Sequence, residues 1–106
     1  MRYARIKKNT QFQRLFKKGK KAYSKYLTVI YCPAKDKTAM GIAVSKKHGK
    51  AVKRNRIKRL IRAAFSNNMD KLGGCYSIIV LPKICEEYSY ADIEQSLVNC
   101  FGRMEK

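Results

Sequence analysis

Residues 52–67 of the chain read VKRNRIKRLIRAAFSN, and the pattern of this stretch organises the rest of the sequence. On a helical wheel its apolar side chains share one arc: Ile57, Leu60, Ile61, Ala64 and Phe65. The opposite arc holds polar and cationic side chains: Asn55, Arg56, Lys58, Arg59 and Arg62. The stretch therefore predicts one amphipathic helix, with an apolar stripe for a core and a continuous cationic face.

The cationic side of this helix is not balanced by acidic neighbours. Five of the seven residues at positions 53–59 are Lys or Arg, and no acid lies three or four positions away to pair with them. Exposed Lys and Arg side chains are commonly only a solvated surface, but here the repulsion between like charges is left uncompensated. A polyphosphate partner would relieve that repulsion and release counterions, so we expect this helix to contact nucleic acid.

The net charge of the whole chain also favours a nucleic-acid partner. It has 106 residues, with 25 Lys or Arg against 7 Asp or Glu, and a formal net charge of +18 at pH 7. Residues 1–67 hold 21 of the basic side chains and only one acidic side chain, so the excess is confined to this part. Because 45% of the residues are hydrophobic, a disordered basic tail is excluded, and we expect a single folded domain spanning residues 1–106.

A short helix is predicted near the N-terminus. Thr10 is suited to cap it, Lys18 ends it, and Gly19 follows directly. Phe12 and Phe16 lie one turn apart on its apolar face. One reading places this pair in the core, and the other makes it an aromatic surface for single-stranded bases; the sequence alone does not choose between them.

Three segments are predicted to form strands. Residues 23–32 are rich in Tyr, Val, Ile and Thr and stop at Pro33, and residues 38–44 follow after a short polar turn. Two strands joined in this way usually form an antiparallel hairpin. Residues 75–81 are strongly apolar and are expected to be the central strand.

A final helix is predicted to open at Ser89, because Ser89 and Asp92 resemble a capping box. Its apolar face carries Ile93, Leu97 and Phe101. The element order is α-β-β-α-β-α, with one more strand if residues 23–32 are broken. This order predicts the α+β class, with helices covering one small mixed sheet.

The sequence contains no readable catalytic or metal-binding motif. His48 is the single histidine, and no acid falls near it in a motif, so a nuclease that uses His48 as general base is only a third reading. The four cysteines lack the close pairs typical of zinc sites: Cys32, Cys75, Cys85 and Cys100. With no secretory segment and no apolar run near 18 residues, we expect buried free thiols, no membrane contact and a cytoplasmic protein.

Two runs of sequence resemble a known family. Residues 41–65, which read GIAVSKKHGKAVKRNRIKRLIRAAF, closely resemble the signature of the bacterial ribonuclease P protein subunit. Residues 5–19, which read RIKKNTQFQRLFKKG, resemble the opening segment of the same family, and a looser resemblance extends to about Phe101. The resemblance implies a two-layer α-β sandwich with the order α-β-β-β-α-β-α. It also implies a left-handed β-α-β crossover through the Arg-rich helix, against the usual handedness.

The resemblance also implies a function. The chain would be the protein subunit of ribonuclease P, the ribonucleoprotein endonuclease that removes the 5′ leader from precursor tRNA. Its partners would be the ribonuclease P RNA and precursor tRNA, with no obligate protein partner. The RNA would perform the hydrolysis, using Mg²⁺ bound by the RNA and the substrate and not by a protein site. The alternative left by the composition is a general RNA-binding or ribosomal protein with no processing role.

Positions that match the family's motifs carry the expected RNA contacts. Contacts to the catalytic RNA are expected at Arg54, Asn55, Arg56, Lys58, Arg59 and Arg62, and at Ser45, Lys46 and Lys47 of the preceding loop. The cleft for the single-stranded leader is expected to contain Phe12, Phe16 and Ile30. Ile30 departs from the family because an aromatic residue is common there, and the adjacent Tyr31 would point to the other face of the sheet. Met40 and Ala63 also depart from the common residues without disturbing the signature.

Overall fold

The structure is a computed structural model, which describes residues 3–6, 8–84 and 87–104. Its strands are β1 (Ala4–Arg5), β2 (Lys20–Tyr23), β3 (Leu27–Pro33), β4 (Ala39–Ile42) and β5 (Tyr76–Pro82). Its helices are α1 (Asn9–Lys18), α2 (Ala51–Asn68) and α3 (Tyr90–Arg103), and short 3₁₀ turns cover Lys46–His48 and Met69–Lys71. The predicted α+β class is confirmed, and so is the order of the main elements, with the two-residue β1 as an addition.

The five strands form one mixed sheet in the order β1-β4-β5-β3-β2. β5 is central, as its apolar sequence predicts, and it runs antiparallel to β3 and parallel to β4. The predicted hairpin of residues 23–32 with residues 38–44 is therefore wrong, because β5 lies between β3 and β4. The physical reason is in β5 itself: Ile78, Ile79 and Val80 point to alternate faces and are all fully buried. Only an inner strand that is covered on both faces can bury such a run.

The connections between neighbouring strands are of two kinds. β4 and β5 are parallel and joined through α2, which is the β-α-β unit that the family resemblance implies; its left-handed sense stays a prediction. Residues 23–32 are broken, and the observed hairpin pairs β2 with β3, placing Lys20 opposite Tyr31. Its turn is closed by the Ser24 hydroxyl, which donates a hydrogen bond to the Leu27 carbonyl at 2.8 Å.

Helices cover both faces of the sheet. Val29 and Tyr31 of β3 lie in the main core with α2 and α3, so Tyr31 does point to this face as predicted. Ile30 of β3 and Ile79 of β5 point the other way and pack with Leu15 of α1 in a smaller cluster. The sheet with α2 and α3 forms the two main layers, and α1 adds a short layer on the opposite face.

The starts of α1 and α3 differ in their capping. The prediction that Thr10 caps α1 is wrong, because Asn9 begins the helix and Lys8 is the N-cap residue without a side-chain cap bond. At α3 the predicted cap is confirmed, since the Ser89 hydroxyl accepts the Asp92 backbone N–H at 3.1 Å. The start of α3 is therefore determined by its own capping residue, whereas α1 depends on packing against the sheet.

The apolar stripe of α2 faces the core as predicted, with Leu60 half-buried and the other four members buried: Ile57, Ile61, Ala64 and Phe65. Phe65 makes edge-to-face contacts with Tyr3, next to β1, and with Phe101 of α3, at ring-centroid distances of 4.9 and 5.8 Å. Phe65 thus joins the edge of the sheet to α3. This packing turns the opposite side of α2 outward.

Hydrogen bonds tie the C-terminal end of α2 to α3. The Asn68 amide donates to Glu94 Oε2 at 3.0 Å and to the Ala64 carbonyl at 2.8 Å. The Tyr90 hydroxyl donates to the same Glu94 oxygen at 2.9 Å. The hydrogen bonds from Asn68 and Tyr90 hold the pKa of the Glu94 carboxyl below its usual value, because both stabilise the ionised form.

Three of the four cysteines lie in the described residues, and all three are free. Cys100 is buried, and burial raises the pKa of its thiol. Cys32 is half-buried and Cys75 is exposed, so the expectation of buried thiols holds for Cys100 and is wrong for Cys75. Cys85 lies outside the described residues. Within these same ranges, no helix is long and apolar enough to cross a membrane.

Candidate nucleic-acid interface

The polar and cationic side chains of α2 lie on its outward side. We call this set the cationic face; its exposed members are Asn55, Arg56 and Arg59, and its half-buried members, spaced by one turn, are Arg54, Lys58 and Arg62. Within the described part of the chain, the buried Nε of Arg54 has no hydrogen-bond partner. The fold therefore leaves this guanidinium incompletely satisfied, although buried polar atoms are normally paired.

Positive potential is concentrated at the start of α2. No acidic side chain lies in its first turn, and the N-cap residue Lys50 makes no side-chain cap bond. The N-terminus of a helix already carries a partial positive charge, and Lys50, Lys53 and Arg54 add to it where acids would be stabilising. This arrangement is unfavourable in the free protein and becomes favourable when phosphate groups approach.

The loop before α2 is held in place by His48. Ser45, Lys46 and Lys47 are exposed, as expected of contact residues, whereas His48 is buried. The Ser45 hydroxyl accepts the Lys47 backbone N–H at 3.3 Å, and His48 Nδ1 accepts the Ser45 backbone N–H at 3.1 Å. His48 Nε2 donates to the Pro82 carbonyl at 2.7 Å, at the end of β5. Both ring nitrogens are thus engaged in structure, which argues against the reading of His48 as a general base.

A groove of about 370 Å³ separates α1 from the end of β4 and from α2. Its walls are formed by Asn9, Phe12, Gln13 and Phe16 of α1, by Ile42, Ala43 and Val44, and by Lys58 of the cationic face. We call this the aromatic groove. Phe16 is 45% exposed and Phe12 is half-buried, so both predicted aromatic residues reach the groove, and Phe12 also packs on the smaller core cluster.

The position of the Phe12 ring depends on Gly41 of β4. A Cβ at Gly41 of β4 would lie 2.8 Å from Phe12 Cζ, which is too close, and 3.1 Å from Ile6 Cβ, which is a tight contact. Phe12 can therefore lie directly on the backbone of β4 only because position 41 has no side chain.

Ile30 is not part of the groove wall. It is 1% exposed and lies beneath the end of α1, where a Cβ on Gly19 would come within 2.5 Å of Ile30 Cγ2. The expectation of Ile30 as a surface of the cleft is corrected accordingly. Ile30 supports α1 from below, and the exposed aromatic surface of the groove comes from Phe12 and Phe16.

A cavity of about 170 Å³ continues the aromatic groove along the other side of Lys58. It shares Ile42 and Lys58 with the groove and adds Tyr3, Arg5 and Arg62. Burial raises the pKa of the Tyr3 hydroxyl, although Arg62 and Arg5 act to lower it, so this hydroxyl remains a donor near neutral pH. Three cations and one hydroxyl thus converge on a space suited to an anion.

No local sequence pattern predicts Tyr3 or Arg5 as members of this surface. They reach it because β1 pairs in parallel with β4, placing Arg5 opposite Met40. Such a pairing joins distant parts of the chain, and a two-residue strand has no periodicity to detect. Within the described ranges, no three His, Cys, Asp or Glu side chains come together to hold a metal ion.

A cationic helix, a basic loop and an aromatic groove on a small α+β scaffold define a nucleic-acid-binding protein. The family model described as Ribonuclease P matches residues 1–105. The chain belongs to the ribonuclease P protein family. Members of this family are RNA-binding protein components of a tRNA-processing ribonucleoprotein.

Named relatives and solved structures agree with this assignment. The chain is 38% identical to the ribonuclease P protein component of Bacillus cereus (strain B4264), over 93% of this chain and 89% of that protein. It is 38% identical to the component of Clostridium acetobutylicum, over 97% of this chain and 90% of the relative. The fold matches the RNase P protein from Thermotoga maritima with a TM-score of 0.85 and 29% identity, covering 96% of this chain and 98% of the other. A mutant Staphylococcus aureus RNase P protein with defective mRNA degradation activity matches with a TM-score of 0.83 and 37% identity. The match covers 93% of this chain and 86% of the other.

Proposed function

We propose that this chain is the protein subunit of ribonuclease P and that it binds two RNA strands at once. The cationic face of α2 and the loop residues Ser45–Lys47 dock on the catalytic RNA. The aromatic groove holds the single-stranded 5′ leader of precursor tRNA. The alternative of a general RNA-binding or ribosomal protein receives no support from any relative reported above.

The main support for this proposal is the position of Lys58, at the boundary between the cationic face and the aromatic groove. This side chain belongs to the cationic face and also lines both the aromatic groove and the adjoining cavity. A cation at such a boundary screens the phosphates of one strand from those of the other. The two RNA surfaces are therefore continuous, which favours simultaneous binding over two independent sites.

The aromatic groove suits a flexible, unpaired strand. Phe16 offers an exposed ring, and Phe12 offers part of its ring, for bases to stack on without a strong preference for sequence. Lys58, Arg5 and Arg62 lie along the continuation of the groove, where the sugar-phosphate backbone would run. Since matured tRNA has no leader, contacts in the groove favour substrate over product.

Hydrolysis is assigned in this proposal to the RNA subunit. Both nitrogens of His48 are engaged by Ser45 and Pro82, and the Glu94 carboxylate is engaged by Asn68 and Tyr90 between α2 and α3. The Mg²⁺ needed for the reaction would be held by the RNA and the substrate. The protein would lower the Mg²⁺ requirement, because its cations take over part of the screening between RNA strands. Free thiols in the described residues fit a reducing cytoplasm as the working compartment.

The test is reconstitution at low Mg²⁺. The purified chain is mixed with a bacterial ribonuclease P RNA at a Mg²⁺ concentration at which that RNA alone processes precursor tRNA poorly. We expect 5′ processing to be restored by the mixture and absent with the chain alone. A chain that binds RNA without restoring processing would support the general RNA-binding alternative, and cleavage by the chain alone would contradict the assignment of chemistry to the RNA.

A further inference from the structure

A cavity of about 420 Å³ lies beside the first turns of α2, at the border of the cationic face. It shares no lining residue with the aromatic groove or with the cavity at Tyr3. Val52 and Ile57 of α2 and Tyr88 before α3 form its apolar walls. The size and the walls suit one flat apolar group, and none of the functions proposed above uses it.

The rim of this cavity is cationic. Lys50, Lys53 and Arg56 line the cavity together with the apolar residues and with Glu87. Arg56 is also a member of the cationic face, so the cavity opens at the border of the surface proposed to dock on the catalytic RNA. A ligand here would have an apolar body and anionic groups next to it, which is the chemistry of a nucleotide.

Val52 and Tyr88 would contact the apolar part of such a ligand in different ways. Val52 is 82% exposed, whereas Ile57, Ile61 and Phe65 of the same helix are buried in the core. Tyr88 is 6% exposed, and its hydroxyl donates a hydrogen bond to the Lys83 carbonyl, which fixes the ring at the cavity wall. A base entering the cavity would thus cover the exposed Val52 side chain and meet only the small accessible part of a ring that is already held in place.

We propose that this cavity receives an unpaired nucleobase of the RNA bound by the cationic face, with the adjoining phosphates at Lys50, Lys53 and Arg56. The inference rests on the proposed docking of α2 on the catalytic RNA and adds a specific contact to it. It makes the protein selective for a docking site that offers an extruded base, beyond the general attraction of its charge for any duplex.

The first test is Val52→Ala, which removes apolar contact without changing charge and does not weaken the helix. We expect its affinity for a bacterial ribonuclease P RNA to fall by up to about fifteenfold, the size expected when two carbons lose full burial. The salt dependence of binding should stay unchanged, because no phosphate contact is removed. Val98→Ala, the same change at a half-buried position of α3, is the control and should bind like the original protein.

The second test places a reporter in the cavity. The chain has no Trp, so Val52→Trp gives a fluorophore at this position alone. Stacking of a base on the indole should quench its fluorescence when the same RNA is added, whereas a contact with phosphates only would leave it unchanged. Unchanged affinity of Val52→Ala together with an unquenched Trp would overturn the inference while leaving the docking of α2 intact. Failure of the original protein to bind the RNA would instead contradict the proposed function.

Discussion

His48 Nε2 donates a hydrogen bond to the Pro82 carbonyl at 2.7 Å, joining the basic loop before α2 to the end of the central strand β5. The other ring nitrogen accepts the Ser45 N–H at 3.1 Å. One imidazole thus fixes both the start of the loop and its position against the sheet. The exposed loop residues are held at the N-terminus of the cationic helix, so the loop and α2 present one surface.

Replacing His48 should therefore cost stability. His48→Ala leaves the Ser45 N–H and the Pro82 carbonyl without their partner, and we expect the free energy of unfolding to fall by about 1–3 kcal/mol. Urea unfolding followed by circular dichroism measures this change. Lys47→Ala, in the same loop but exposed, should shift stability by less than about 0.5 kcal/mol while weakening RNA binding. Equal stability of the two variants would show that the His48 bonds do not hold the loop.

Gly41 should control the aromatic groove. In Gly41→Ala the new methyl meets the Phe12 ring at 2.8 Å, so the ring must move from its place on β4. We expect a loss of about 1–3 kcal/mol in stability, together with weaker binding of a single-stranded leader oligonucleotide. Gly102→Ala is the matched control, because a Cβ at Gly102 has no neighbour within 4 Å. If both variants bind the leader equally well, Phe12 does not contribute to the groove in the way proposed.

The exposed arginines of the cationic face should act through phosphates. We expect Arg56→Ala and Arg59→Ala each to weaken binding to the ribonuclease P RNA and to reduce the salt slope by about one contact. Filter-binding or fluorescence titrations over a range of salt concentrations give the slope. Lys25→Ala is the control, since Lys25 lies over the Tyr26 ring and lines a cavity with residues of α3. Slopes that do not differ from that of the original protein would contradict docking through this face.

The link between α2 and α3 should depend on pH. The Asn68 amide and the Tyr90 hydroxyl hold the pKa of Glu94 below its usual value, so the ionised form favours the folded state. The stability gained is present above the ordinary carboxyl pKa of about 4.3 and is lost as pH falls through the lower folded value. Glu94→Gln should remove this part of the acid sensitivity. Unfolding curves between about pH 6 and 3 measure the difference, and parallel curves for the two proteins would contradict the proposed role of Glu94.

Local patterns in the sequence were sufficient for the helices and for the cationic face. The spacing of Ile57, Ile61 and Phe65 gives the core side of α2, and Ser89 gives the start of α3. The pairing of strands was not predictable in this way, because the insertion of β5 between β3 and β4 depends on what covers each face of β5.

The residues of the candidate site also differ in whether local sequence patterns predict them. Its residues on α2 and in the loop follow from one continuous motif, and Phe12 and Phe16 follow from the spacing of α1. The family pattern predicts Ile30 in the cleft, but its burial beneath Gly19 depends on where α1 crosses the sheet. Arg5 and Tyr3 join the surface only through the parallel pairing of β1 with β4. Contacts between distant parts of the chain cannot be predicted from local sequence patterns.

The proposed contact of the protein with the leader, in addition to the catalytic RNA, is tested most directly by one comparison of affinities. The affinities of precursor tRNA and of the matching mature tRNA are measured for the ribonuclease P RNA with and without this protein, at one fixed salt and Mg²⁺ concentration. We predict that the protein tightens binding of the precursor and leaves the mature tRNA nearly unchanged, because only the precursor has a strand for the aromatic groove. Equal tightening of both tRNAs would contradict the leader contact and leave only a general electrostatic effect.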